Sequence, residues 1–454
     1  LCRWLYQPTD DLIQKLLHLD LYNNIQECYC GLKMGEYDPC FVLLQFFNLP
    51  QLKILHLKMK DPTISTINNK SHTELEKCIE MNSILQELKI EYKGGDEITS
   101  TINSFIRGVT KNKTITSLTL LVIVHADAPP PPLLPDGVIE QLLKDNNTLQ
   151  ALSLGSLPSS LNNIVEVTTP LTALEIREER EKGSKPMTSL LPHIKGLHCL
   201  ILHEPYPPHL LFVSHSSLHT LTLPLDTAKS AIELFTILRT NTTLKALSVE
   251  IKKERVYTSR MGASLQDMLT QNQTLKYLEF YDFRFSSFLS FLTTGLRHNT
   301  SLQQLSVSIQ LNEVNDDIRT FINFIFKKKN LTELELNFTP DQSYSNCSRE
   351  KRKQIMTPLF YEQVLPAVMN MLQSHTTIRL LRIVCVPINK ESSQPNWIEL
   401  VQHLYETIFI HPSLEYVGIY TGYIPSLLED TLEDQKKTFR NNQPHKPLPI
   451  VDIA

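Results

Sequence analysis

The sequence predicts a curved α/β solenoid with a parallel sheet inside and helices outside. Three observations point there. An L-x-x-L-x-L pattern recurs along the chain at near-constant spacing. Between recurrences the apolar residues keep helical spacing. The chain has 454 residues, and a single hydrophobic core stops growing near about 250–300.

The triplets come first. They are Leu52/Leu55/Leu57, Leu85/Leu88/Ile90, Ile115/Leu118/Leu120, Leu149/Leu152/Leu154, Leu171/Leu174/Ile176 and Leu197/Leu200/Leu202. The series continues with Leu218/Leu221/Leu223, Leu244/Leu247/Val249, Leu275/Leu278/Phe280, Leu302/Leu305/Val307, Leu331/Leu334/Leu336, Ile378/Leu381/Ile383 and Leu414/Val417/Ile419. One such triplet carries no weight. Thirteen in series, typically 26–34 residues apart, carry a great deal. Ile25/Cys28/Cys30 is a degenerate fourteenth.

The segments between them are helical. In "GASLQDMLTQNQTLKYL", Ala263, Leu265, Met268 and Leu269 lie on one helical face. "AKSAIELFTILRTNTTL" repeats this with Ala231, Leu234, Ile237 and Leu238. Each unit is therefore strand, loop, helix. A strand–helix–strand connection makes the strands parallel, and stacked units share a core that none could build alone. About thirteen strands are expected, one per triplet.

"GASLQDMLTQNQTLKYLEF" and "DGVIEQLLKDNNTLQALSL" resemble leucine-rich repeats of the ribonuclease-inhibitor type, similar to the C-terminal arrays of NOD-like receptors. The resemblance implies a protein-binding array from an intracellular sensor, scaffold or adaptor, without cofactors. One feature departs from that family. Three residues after the third apolar position it commonly has Asn or Cys; here stand Lys60, Lys93, Ile123, Leu157, Lys252, Phe283, Gln310 and Thr339. The loops leaving the strands must satisfy their backbone in another way.

A second frame runs three residues before the first apolar position. It holds Asn82, Asn112, Asn146, Asn241, Asn272 and Asn299, then His375 and His411. Several of these Asn open N-x-S/T acceptors, as in Asn241-Thr242-Thr243. Yet Asn82 precedes Ser83-Ile84 and is no acceptor, and a glycan site could not become His. A helix cap could, because Asn and His tolerate positive φ. These eight residues are expected to cap helices in the left-handed conformation, with Asn241, Asn272 and Asn299 unmodified. Asn69, Asn337 and Asn346 lie outside the frame.

Composition narrows the classes. A net charge of −4 gives no basic footprint for nucleic acid. Only 13 glycines weigh against phosphate loops. No apolar run reaches the roughly 20 residues of a membrane span; the longest, 118–124, ends at His125. Leu1-Cys2-Arg3-Trp4 does not open a signal peptide. The eight Cys are scattered, which fits buried thiols and a cytoplasmic location better than Cys-rich caps. Cys28-x-Cys30 lacks a matching pair for a metal.

The domain reading follows. Residues 1–20 are an expected N-terminal helical segment continuing upstream. Residues 21–425 form the solenoid, with insertions at 125–136 and 339–354. Residues 426–454 are a helix and a Pro-rich tail that frays. The repeats over 149–230 are short, 21–26 residues, and rich in Pro, so little room remains for full helices. The basic run 349–353 is expected in a solvated loop before a helix at 360–372.

H-E-x-x-H, G-x-S-x-G, G-x-x-x-x-G-K-[ST], G-x-G-x-x-G and paired C-x-x-C are all missing, so no catalytic, cofactor or metal residues are assigned. Binding has a physical basis instead. Strand side chains alternate, so the residues between the buried leucines form a lattice on the open face. Over 246–337 these include Glu250, Tyr277, Glu279, Tyr281, Glu333 and Glu335, and no Lys or Arg. That face suits a protein partner presenting Lys or Arg on a protruding helix or loop. Two other classes share the pattern: the substrate-recognition array of an F-box ubiquitin ligase, and a secreted leucine-rich-repeat glycoprotein. The chain upstream of Leu1 discriminates them.

Overall fold

The structure is a computed structural model. It describes residues 2–6, 25–33, 43–44, 46–60, 69–93, 99–123, 134–135, 137–155, 168–177, 187–251, 256–281, 287–311, 316–325, 327–340, 347–385, 395–421, 426–443 and 447–453. The chain forms two compact units, Leu1–Thr220 and Leu221–Ala454.

In the first unit eight strands pair in chain order: β1 (Cys2–Tyr6), β2 (Glu27–Lys33), β3 (Ile54–Lys60), β4 (Glu87–Lys93), β5 (Ser117–Ile123), β6 (Ala151–Gly155), β7 (Ala173–Arg177) and β8 (Cys199–Leu202). Every pairing is parallel. Helices Asn69–Met81, Thr99–Lys111 and Val138–Asp145 intervene where repeats are long. Where they shorten, only a 3-10 turn (Met187–His193, broken by Pro192) and a seven-residue helix (Pro208–Ser214) fit.

The second unit repeats the scheme with β9 (Thr220–Leu225, its first residue aside), β10 (Ala246–Ile251), β11 (Tyr277–Tyr281), β12 (Gln304–Leu311), β13 (Glu333–Pro340), β14 (Leu380–Cys385), β15 (Tyr416–Tyr420) and β16 (Ile450–Ile453). The pairings from β10 to β16 are parallel. Helices Ala228–Leu238, Ser259–Gln271, Ser287–His298, Asp316–Ile325, Pro395–Ile410 and Ser426–Asn442 lie between strands. Thr227 and Thr258 start two of them by accepting from Ser230 N and Met261 N.

This is an α/β repeat solenoid compatible with leucine-rich repeats; the second and third residues of all thirteen triplets fall on strands β3–β15, and the first lies two residues ahead of each strand. Their leucines are the core. Leu244, Leu247 and Val249 are each 0% exposed, and the helical residues Leu234, Leu265 and Met268 meet the same fraction. The degenerate triplet is β2, with Cys28 and Cys30 buried.

Three expectations need correction. Residues 2–6 are a strand paired with β2, not helix; the rest of 1–20 lies outside the described residues. The tail supplies β16, which extends the ladder beyond β15 through Ile450 N donating to Glu415 O at 2.8 Å. The insertion at 339–354 is partly regular. Thr339 and Pro340 end β13, and Ser348 accepts from Lys351 N to start helix Arg349–Leu359. The basic run 349–353 thus opens a helix. Pro358 and Pro366 withhold N–H donors on either side of Phe360–Val364, which widens to a π turn before helix Leu365–Ser374. Of the 125–136 insertion only Leu134 and Pro135 are described.

Candidate interaction surface and the ladder behind it

The strand face turned away from the buried leucines is set by register. Tyr277 lies between Ala246 and Gln304, and Gln304 is paired with Glu333. One pleat on, Ser248, Glu279, Ser306, Glu335, Arg382, Gly418 and Asp452 make a continuous row. Glu250 stands opposite Tyr281. Strands about 4.8 Å apart bring all six predicted residues onto one patch.

Tyr281 projects furthest, at 57% exposure. Glu250, Tyr277, Glu279, Glu333 and Glu335 are half-buried by their neighbours. Ser248 donates to Glu279 at 2.6 Å. Burial, then the charge and hydrogen bond of Glu279, pushes the Tyr277 phenol well above its usual range. It is a fixed neutral donor and apolar surface, not an acid.

The open face extends beyond the predicted patch. Arg382 pairs with Glu335 at 3.4 Å and lies over the Tyr416 ring, 6.0 Å from its centroid. The hydroxyls of Tyr416 and Tyr420 are 2.6 Å apart, and both donate to Asp452, at 3.0 and 3.2 Å. A Cβ on Gly418 would meet Tyr420 Cε2 at 2.7 Å, so glycine lets the two rings close over the strand. The patch is therefore acidic and aromatic at β10–β13 but gains a cation at β14. Applying the same alternation to the triplets at Ile378 and Leu414 finds Arg382 and Tyr416; nothing in the pattern announces Asp452.

The first unit carries a polar cluster on its own strand face. Glu175 accepts from Ser153 (2.7 Å), Arg177 (2.6 Å) and His203 (3.0 Å). The His203 bond first, with Ser153 and Arg177 against the opposing effect of burial, brings its carboxyl down to about 2. Ser153, Arg177 and His203 all converge on the one carboxylate, so the cluster is a fixed polar network. Among the described residues no group of three or more His, Cys, Asp or Glu could hold a metal, and no helix is long and apolar enough to cross a membrane.

Just before many of the strands sits the second frame, and there it forms a ladder; before β3, β7 and β8 the same offset holds Leu49, Thr168 and Ile194 instead. Oδ1 of Asn272 accepts from Thr274 N and Leu275 N at 2.9 Å each. Its Nδ2 donates to Leu238 O (2.7 Å) and Asn241 O (3.0 Å), both in the preceding repeat. Asn299 repeats this onto Leu269 and Asn272. In the first unit Asn146 bonds Val109 and Asn112, Asn112 bonds Ile79 and Asn82, and Asn82 bonds Phe47. His375 and His411 continue it: their Nε2 atoms bond Lys328 O (2.9 Å) and His375 O, while their Nδ1 atoms accept from Thr377 N and Leu414 N. That fixes the neutral Nε2–H tautomer.

The serine or threonine two positions on forms a second rail. Thr148, Ser301, Thr377 and Ser413 donate to the carbonyl of the first apolar residue of the preceding triplet: Ile115, Leu275, Leu331 and Ile378. The N-x-S/T spacing thus has a structural origin.

At Asn146, Asn272 and His375 the expected left-handed conformation is replaced by extended backbone, with φ −83, −75 and −93. They end helices through side-chain bonds from extended backbone, so Asn is used for its amide and not for its tolerance of αL. One rung went unread. Lys328 occupies the frame before Leu331, and its Nζ donates to Asn299 O. His215 holds the same offset before Leu218 but is no rung: it is 1% exposed, neither ring nitrogen has a side-chain hydrogen bond among the described residues, and burial pushes its imidazole below the usual range.

No protein-family model and no curated protein matches the chain. Among solved structures it is similar to leiomodin-1 actin-binding site 2, at 12% identity and TM-score 0.20, covering 50% of this chain and 88% of that one.

Proposed function

We propose that this chain is a non-enzymatic, protein-binding leucine-rich-repeat array of the ribonuclease-inhibitor type, the sensor or scaffold part of an intracellular protein. The carrying observation is the open-face patch of Tyr277, Glu279, Tyr281 and Glu335, held in register on adjacent strands. Tyrosine offers contact area at little entropic cost, and half-buried carboxylates keep enough field to select a cation. The partner is a protein that presents Lys or Arg on a protruding element.

The intracellular reading draws on the ladder. The Nδ2 atoms of Asn112, Asn146, Asn272 and Asn299 are where a glycan would attach, yet these residues are at most 3% exposed and donate both amide hydrogens. A sugar there would sit in the core. Asn241 carries only the acceptor half, bonding Thr243 N and Leu244 N. This weighs against a secreted glycoprotein.

The test is capture of partners by the chain, followed by Tyr277→Ala and Tyr281→Ala. Interface centres of this kind cost about 2 kcal/mol or more on truncation, roughly thirtyfold in Kd. Unchanged affinity and unchanged salt dependence would place the site elsewhere.

A further inference from the structure

The helix side of the second unit carries a feature the open face does not explain. The C-terminal ends of helices Ser287–His298 and Asp316–Ile325 and the turn after them enclose an open cleft of about 780 Å³. Arg297, Lys327, Lys328 and Lys329 line it, and no Asp or Glu is among its ten lining residues. Thr320 and Asn323 add exposed hydrogen-bonding groups.

Elsewhere in the molecule cations meet carboxylates: Lys111 with Glu76, Arg177 with Glu175, Arg379 with Glu415, Arg382 with Glu335. Arg297, Lys327 and Lys329 are exposed and form no ion pair among the described residues. Lys328 differs, since it is buried and serves the ladder. Cations near helix C-termini gain modest stabilisation from the dipole. That accounts for their presence one by one. It does not account for their convergence on a concavity with no carboxylate among its described lining residues.

We propose that this cleft is a second docking site, for a short acidic segment of a partner protein, with Arg297, Lys327 and Lys329 supplying charge and Thr320 and Asn323 supplying direction. Carboxylates pair with Arg in a fork and with Lys as point charges, and several in succession would be needed to meet three cations. A nucleic acid fits less well. Among the described lining residues the one aromatic ring, Phe324, is half-buried and offers no stacking platform. The adjacent helix Ser259–Gln271 exposes Asp267, and the chain carries net charge −4, so a long phosphate backbone would run from the cleft onto repelling surface.

The experiment is fluorescence anisotropy of a labelled oligo-glutamate peptide with the full chain, at low and at physiological salt. Wild type should bind, and more weakly as salt rises. Arg297→Gln, Lys327→Gln and Lys329→Gln together should weaken binding roughly tenfold or more, while the thermal midpoint falls only slightly, since all three are exposed and lose no more than their interaction with the helix ends. Arg297→Gln alone gives a smaller loss and serves if the triple variant misfolds. Lys436→Gln with Lys437→Gln, on helix Ser426–Asn442, removes charge elsewhere and should change nothing. No binding at low salt overturns the proposal, as does equal binding by the triple variant. A single-stranded RNA of equal charge that binds as tightly and loses affinity in the same variant overturns the acidic-peptide assignment.

Discussion

A single side chain in the ladder does the work of a helix cap and a cross-repeat tie at once. Asn272 satisfies two N–H groups of its own turn and two carbonyls of the repeat before it. Replacing it with Ala strands all four in a buried place, so Asn272→Ala should cost about 2–4 kcal/mol, read as a lower urea midpoint. Thr148→Val, which keeps shape but loses one hydroxyl bond, should cost about 1 kcal/mol. The histidine rungs add a pH dependence. Burial holds the folded His375 imidazole below its ordinary value of about 6.5, so the fold prefers it neutral. Above that value both states are neutral and its contribution is complete. As pH falls below it the unfolded chain takes up a proton first, and stability declines until the folded imidazole titrates too. His375→Asn should retain the ladder and flatten thermal midpoints measured from neutral pH downward. The frame of these residues was legible in the sequence as a constant offset from each triplet. Their conformation was not, because Asn at a helix end suits both αL backbone and side-chain capping, and spacing does not separate them. Lys328 was hidden for a related reason: its type does not suggest a cap, although its offset does.

At the scale of elements, what positions the helices is close approach at small residues. A Cβ on Gly295 would lie 2.9 Å from Leu269 Cβ and 3.0 Å from both Cα and O of Gln266. Gly262, on the facing helix Ser259–Gln271, is likewise covered by the Phe291 ring. Alanine at position 295 would gain about 1 kcal/mol of helix propensity. The overlap involves backbone and should outweigh that gain, so Gly295→Ala is expected to lose about 1–3 kcal/mol in chemical denaturation. Strands were the most readable elements, since Leu, Ile and Val at fixed intervals have one geometry that buries them all. β1 and β16 lie outside that logic. Their sequences, "CRWLY" and "IVDI", carry no triplet, and they are strands because the neighbouring strand offers an unsatisfied edge. The helix at Arg349–Leu359 was missed because its opening run of charges has weak amphipathic contrast.

For the whole molecule, the consequence of stacking is that stability is nearly a sum over neighbours. Each ladder rung couples one repeat to the one before it, and the open-face patch is assembled the same way. The site was legible only as far as the triplets run. Tyr277, Glu279 and Glu335 follow from alternation within regular repeats, and Arg382 follows from the same alternation across the 47-residue gap between Leu331 and Ile378, but Asp452 lies on β16, which carries no triplet. Arg382→Ala should release Glu335 and make the patch more acidic; a basic partner should then bind more tightly at low salt and lose the gain as salt screens it. The central claim is that the in-frame Asn, Lys and His side chains tie neighbouring repeats together. Amide hydrogen exchange of the full chain, wild type against Asn272→Ala, measures this directly. Exchange should quicken in β10 and β11 and in helices Ala228–Leu238 and Ser259–Gln271, with β14 and β15 keeping their protection. Unchanged exchange around position 272, or a uniform rise across the second unit, would contradict it.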